Sequence, residues 1–301
     1  MTGVLVLGGP TASGKTELAI ALAETFGAEI VNADSRQIYR GMSIGTAAPT
    51  AAQRAQVPHH LVEFLDPHER YSAGRFVADA IGAIGAIATR GKRSLVVGGT
   101  GFYLRALCGD VALAPEHDPT LRGRLAREVQ LHPTGVLHDW LAAREPGRAA
   151  ELAPSDGYRI VRALEISLAR SHSNSSLGGP VGLRAVAVAT RKVVLDVEIG
   201  ELERRIGARV DAMLARGFVD EADRIGVEAV AADAVGYPQA LAYLDGLLSA
   251  GELRAALVRA TRRYAKRQRT WFRSERDVTW IPPDHAFDAI AATARDSLGW
   301  T

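Results

Sequence analysis

One stretch near the N-terminus constrains this chain more than any other: Gly9-Pro10-Thr11-Ala12-Ser13-Gly14-Lys15-Thr16. It fills every fixed position of the pattern G-x-x-x-x-G-K-[ST], which has its meaning only between a strand and a helix. Both flanks are present. Val4 to Leu7 is a short Val/Leu run that reads as a buried strand, and Glu17 to Thr25 is helix-forming. In such a loop, glycines let backbone N–H groups turn onto anionic oxygens, and the helix adds the positive end of its dipole. Lys15 brings a point charge, and the Thr16 hydroxyl suits Mg2+. The result is a polyphosphate cradle, and by itself it names no reaction.

Two more apolar runs repeat the theme. Ala28 to Val31 ends at Asn32-Ala33-Asp34-Ser35, and Ser94 to Val97 ends at Gly98-Gly99-Thr100-Gly101. Ligands of open α/β sheets bind outside the carboxyl ends of the strands, so Lys15, Asp34 and Thr100 are expected to converge on one crevice. The predicted fold is α/β, a P-loop NTPase-like parallel sheet flanked by helices. From Asp110 to about Leu183 the pattern changes to short helical stretches broken by prolines, which predicts a helical insertion at 111–183 between core segments 1–110 and 184–301. Its Ser/Gly-rich tail, Ser171 to Gly182, is expected to be a mobile loop. Alternating Ala185 to Ala189 is read as resuming the sheet, Ile199 to Ala215 and Leu253 to Arg273 as amphipathic helices, and Val278 to Ile281 as a last strand.

With 47% hydrophobic residues, the 301-residue chain can bury one large core, or one core plus a small module. The sequence has no apolar run of the about 18 residues that a membrane span needs, and the N-terminus enters the first strand without room for a leader. The lone Cys108, among Leu104, Leu107 and Val111, reads as a buried thiol without chemistry. A cytoplasmic monomer is the expectation.

Net charge is only +2, yet Thr261 to Arg276 carries seven Lys or Arg residues against one acid, Glu275. On a helix, Arg259, Arg262, Arg263, Lys266 and Arg273 form a cationic face, while Leu253, Leu257, Ala260, Tyr264 and Trp271 form another that packs. Solvated faces usually carry both signs, so this one points to a polyanion. Arg159 and Arg162 share a second helix face, opposite Ile160 and Leu164. Ser155 could cap that helix, and ion pairing to Glu165 is the alternative role for Arg162. Asp34 could cap a turn, hold Mg2+, or act as a general base facing the phosphate donor.

Several further blocks carry a resemblance. Asp34-Ser35-Arg36-Gln37-Ile38-Tyr39-Arg40-Gly41-Met42, Ile44-Gly45-Thr46-Ala47, Pro58-His59-His60-Leu61, Tyr71-Ser72-Ala73, Gly98 to Tyr103, Arg159 to Glu165, Ala265 to Gln268 and Thr270 to Arg273 follow the P-loop in order. Together they resemble the bacterial-type tRNA dimethylallyltransferases over nearly the whole chain.

That resemblance implies transfer of a dimethylallyl group from dimethylallyl diphosphate to N6 of the adenosine 3′ of certain tRNA anticodons. The cradle from Gly9 to Thr16 would then hold a diphosphate, with Thr16 positioning Mg2+ as cofactor. Asp34 would act as base, Thr100 would contact the substrate nucleotide, and Arg209 would face the pyrophosphate; an ion pair to Asp211 or Glu203 is the other role open to Arg209. Asp34, Ser35, Arg36, Gln37, Thr100, Arg122, Tyr158, Arg159, Arg162, Gly236, Tyr237, Arg262, Arg263 and Lys266 would meet the anticodon stem-loop, with the insertion and the basic helix gripping it. Ala48 and Pro238 stand where the family more often has basic residues, which bears on tRNA affinity or choice more than on the reaction. Rival readings are a P-loop small-molecule kinase, a relative that prenylates free AMP, and a non-catalytic RNA-binding protein.

Overall fold

The computed structural model describes residues 3–111, 113, 119–172 and 182–301. In chain order the elements are β1 (Val4–Gly8), α1 (Lys15–Phe26), β2 (Ala28–Asn32), α2 (Ala51–Gln56), β3 (His59–His60), α3 (Ala73–Thr89), β4 (Arg93–Gly98) and α4 (Gly101–Cys108). Then come α5 (Pro119–Leu131), α6 (Thr134–Arg144), α7 (Pro146–Ala150) and α8 (Gly157–His172). After them run β5 (Thr190–Leu195), α9 (Ile199–Ala215), α10 (Phe218–Ile225), α11 (Tyr237–Leu244), α12 (Ala250–Arg273), β6 (Val278–Ile281) and α13 (Ala286–Leu298).

The six strands form one sheet in the order β3-β2-β4-β1-β5-β6, and every pairing is parallel. The fold is therefore α/β. Strands β1, β2 and β4 are buried almost throughout because both sheet faces are covered, so they read as continuous apolar runs rather than alternating ones. Under one face Leu5 and Leu7 pack with Leu22 and Phe26 of α1, Ile290 of α13 and Trp300. Each such burial contributes about 1.5–3 kcal/mol. Trp300 is 1% exposed, meets Phe26 edge-on, and donates its indole N–H to the Gly3 carbonyl.

The return to the sheet corrects an expectation. Ala185 to Ala187 is a turn, Val188 and Ala189 belong to no strand, and Ala187 adopts φ +53°, which no extended residue has. The strand starts at Thr190, where Lys192 pairs with Asp110 at 2.8 Å and frees Val193 to Leu195 for the core. A Ser249–Glu252 capping box starts α12 three residues before the apolar repeat.

The chain divides into two compact units, one of Met1–Val111 with Val181–Thr301, the other Ala112–Pro180. The second is helical among its described residues, with a core of Leu125, Leu137, Leu141, Leu152, Ile160 and Leu164. Asp156, not Ser155, accepts from the Arg159 N–H (3.2 Å) at the start of α8. The Ser171–Gly182 tail lies almost wholly outside the described residues. Among the described residues no helix is long and apolar enough to cross a membrane.

Candidate active site

The loop after β1 holds two residues in the left-handed region beside the helix start, Ala12 at φ +62° and Gly14 at φ +89°. The Lys15 ammonium donates to the carbonyls of Gly9 (2.9 Å) and Pro10 (2.7 Å). Burial among protein atoms lowers its pKa to about 8; Asp34 opposes that fall and Arg209 adds to it. Lys15, Asp34 and Arg209 thus share one field.

Asp34 lies just beyond β2. Its Oδ1 accepts from the N–H groups of Arg36 (2.9 Å) and Gln37 (3.4 Å), which fixes the carboxylate at the head of a turn. Thr100, beyond β4, accepts from the Ser35 N–H at 3.0 Å and donates to the Ser35 hydroxyl at 3.3 Å. The two loops are locked together because β2 and β4 are neighbours. Gly98 makes this possible: a Cβ there would lie 2.2 Å from the Ala33 carbonyl oxygen.

The carboxyl ends of β1, β2 and β4 enclose a crevice of about 850 Å³ whose lining includes Lys15, Thr16, Asp34, Thr100 and Arg209. Arg209 makes neither of the ion pairs open to it in the sequence: Asp211 pairs with Arg254 and Glu203 with Arg262. Its guanidinium instead donates to the Thr46 carbonyl at 3.3 Å, and burial lowers its pKa. Arg205 also lines the crevice, but Glu201 binds it at 2.6 Å.

A strap from Met42 to Ala48 closes one side. Glu221, 2% exposed, accepts from the N–H groups of Ile44 (2.8 Å) and Gly45 (2.7 Å) and from the Tyr237 hydroxyl (2.7 Å). With its N–H groups anchored, the strap turns the Thr46 and Ala47 carbonyls onto the Gln37 amide at 3.2 and 3.1 Å.

Other residues singled out in the sequence lie in several different places. Ser35, Arg36, Gln37 and Gly236 line the same crevice, Arg36 being ion-paired to Asp233 at 2.7 Å. Arg262, Arg263 and Lys266 lie exposed on α12. Tyr237 departs from its expected role. It is fully buried, burial raises its pKa, and its hydroxyl is engaged by Glu221, so it presents nothing to an RNA. In the second unit, Arg122 is half-buried, Tyr158 is 76% exposed, Arg159 pairs with Asp156, and Arg162 pairs with the buried Glu165 at 2.8 Å. Cys108 is buried and its pKa is pushed up to about 12, which leaves it without thiolate character.

Comparison with known proteins is decisive at this point: the family described as IPP transferase matches residues 37–275. The chain belongs to the IPP transferase family. It is 46% identical over 294 residues to the tRNA dimethylallyltransferase of Alkalilimnicola ehrlichii, covering 95% of this chain and 93% of the relative. Identity to that of Geobacter sulfurreducens is 41% over 303 residues, covering 99% of this chain and 97% of the relative, so the match extends across the phosphate loop. The full-length tRNA isopentenylpyrophosphate transferase of Bacillus halodurans has a TM-score of 0.72 at 35% identity, covering 99% of this chain and 97% of that one. A eukaryotic dimethylallyltransferase described as acting on tRNA gives 0.77 at 25% identity, covering 98% and 78%.

The two family departures have structural settings. Ala48 is 8% exposed at the end of the strap, and Pro238 sits in the first turn of α11, where a missing N–H leaves no hydrogen bond unmade. What sequence reading missed is the inner face of α12. Tyr264 and Trp271 face the crevice rather than the core, and Gln268 joins them. The signal was available in Gly99 and Gly101, where a Cβ would lie 2.4 Å from Gln268 Nε2 and 2.0 Å from Trp271 Cδ1. Those glycines mark a helix pressed onto the loop.

Proposed function

We propose that this IPP transferase family chain is a tRNA dimethylallyltransferase, moving a dimethylallyl group from dimethylallyl diphosphate to N6 of the adenosine 3′ of the anticodon. The observation that carries this reading is the joint placement of a carboxylate, Asp34, with a phosphate cradle and Arg209 in one crevice. N6 attacks the allylic carbon, the C–O bond to the diphosphate breaks, pyrophosphate departs, and the N6 proton passes to Asp34. An exocyclic amine is a weak nucleophile because its lone pair is delocalised into the ring. Orientation by the Ser35–Thr100 lock and charge stabilisation of the leaving group by Lys15 and Arg209 therefore carry most of the acceleration. Proton removal adds about 10² to 10⁴.

Mg2+ fits the donor set. No cluster of acidic, His or Cys ligands occurs among the described residues, and this ion is characteristically held by few protein groups plus substrate phosphates, here the Thr16 hydroxyl and the diphosphate. When bound it neutralises charge on the departing pyrophosphate. The adenine enters extruded, as a base must to be reached in a crevice. Arg262, Arg263 and Lys266 on the exposed face of α12, and Arg122, Tyr158, Arg159 and Arg162 in the helical unit, contact the stem-loop backbone and bases. The enzyme works as a monomer in the cytoplasm, where tRNA and prenyl donor are both met.

The test supplies an anticodon stem-loop, or free AMP, with dimethylallyl diphosphate, or with ATP, and follows acceptor mass. A gain of one C5H8 unit on the stem-loop is expected. Phosphorylation without prenylation, or prenylation of AMP alone, would overturn the reading.

A further inference from the structure

Gln268 is 6% exposed on α12, and its one amide reaches two loops. Its Oε1 accepts from the Thr11 N–H in the phosphate loop at 2.8 Å, and its Nε2 donates to the Gly99 carbonyl at 2.8 Å. Both distances are near the optimum for N–H···O bonds. Thr11 belongs to the diphosphate cradle, and Gly99 immediately precedes Thr100, which is locked to Ser35 beside Asp34. No other side chain length does this. Asparagine is one methylene short, glutamate would set a carboxylate oxygen against the Gly99 carbonyl, and an apolar residue would leave two buried polar groups unpaired.

The helix that carries Gln268 has two working faces. Tyr264, Gln268 and Trp271, spaced four and three apart, lie along the crevice, while Arg262, Arg263 and Lys266 are exposed. There is no slack on the inner side, because Trp271 and Gln268 lie against Gly101 and Gly99 too closely for a methyl group. A force applied to the outer face is therefore transmitted to both loops at once.

Resting on the prenyl-transfer reading, we infer that Gln268 is a positioning residue that couples the two substrate sites, so that RNA seated on α12 and diphosphate seated on the P-loop each favour the other. Coupling free energies between sites correspond to about 5–150-fold in affinity and are reciprocal. For the wild type, inorganic pyrophosphate affinity measured by calorimetry should tighten about tenfold when the stem-loop is saturating. In Gln268→Met, with thermal unfolding confirming a folded protein, the tightening should fall to about onefold and kcat should drop more than KM rises. Wild-type coupling retained by Gln268→Met, or absent from the wild type, overturns the inference. Should the variant not fold, hydrogen exchange on the wild type decides: stem-loop alone must slow exchange at the Thr11 amide, and unchanged exchange overturns coupling. Prenyl transfer without coupling sinks this inference and leaves the reaction standing; coupling without prenyl transfer does the reverse.

Discussion

Charged groups are held differently in the two units. Around the crevice, beside the local partners of Lys15, Asp34 and Arg205, several bonds are remote in sequence: Arg36 pairs with Asp233, Glu221 binds Ile44 and Gly45, and Arg209 reaches Thr46. In the helical unit, Arg148–Glu151, Arg159–Asp156 and Arg162–Glu165 each close within one helical turn. Local pairs form with the helix and are worth little each, typically 0.2–0.5 kcal/mol. Remote ones exist only when the whole fold does, so they can hold a chemical constellation at fixed geometry. The difference separates a surface that presents charge from a site that positions it.

The sharpest test is Asp34→Ala. If the crevice serves chemistry, kcat for prenyl transfer should fall by about 10² to 10⁴ while stem-loop affinity stays within about twofold in a filter-binding titration; equal losses in both would dissolve the distinction. Glu221→Ala comes next. It strands two backbone donors and the Tyr237 hydroxyl, and urea unfolding should register a loss of about 3 kcal/mol. A loss below about 0.5 kcal/mol would mean the strap is held by something else.

Lys15 gives the third effect, through pH. Its pKa of about 8 lies below the ordinary lysine value because the charged form is desolvated. If, as proposed, diphosphate binds the ammonium form and raises that pKa, KM for dimethylallyl diphosphate should be flat below about pH 8 and rise up to tenfold per unit above it. A flat profile to about pH 9.5 would remove Lys15 from the phosphate contact. The smallest effect is Arg159→Ala, on a local pair that is well exposed. Stability should change by less than about 0.5 kcal/mol, whereas the salt slope of stem-loop binding should shrink by about one. The reverse outcome would place Arg159 with the structural charges.

The same contrast explains what could be read from the sequence. Strands β1, β2 and β4 and helices α9 and α12 were legible because apolar spacing encodes burial locally. The loop residues Lys15, Asp34 and Thr100 followed, since a parallel sheet gathers its carboxyl ends. Ala185 to Ala189 misled because Ala and Val alternate there with a strand's period, and nothing in the side chains declares the left-handed backbone at Ala187. The roles of Glu221 and Gln268 were hidden for a stronger reason. Gln268 is separated by 257 residues from Thr11, and no periodicity spans such a gap. Family resemblance placed Tyr237 among RNA contacts, but only packing reveals that its hydroxyl points inward to Glu221.

The position of β1 between β4 and β5 also sets a timetable. Val4 to Gly8 is synthesised well before its partner strand Thr190–Leu195, and the Trp300 indole that seals Gly3 is made later still. A strand must wait for a partner made much later, so β1, which leads into the phosphate loop, has neighbours on both sides only once β5 has been made. Folding with such long-range pairings is slow. Until β5 is in place, β1 and the loop that follows it stand at the edge of the sheet rather than between two strands.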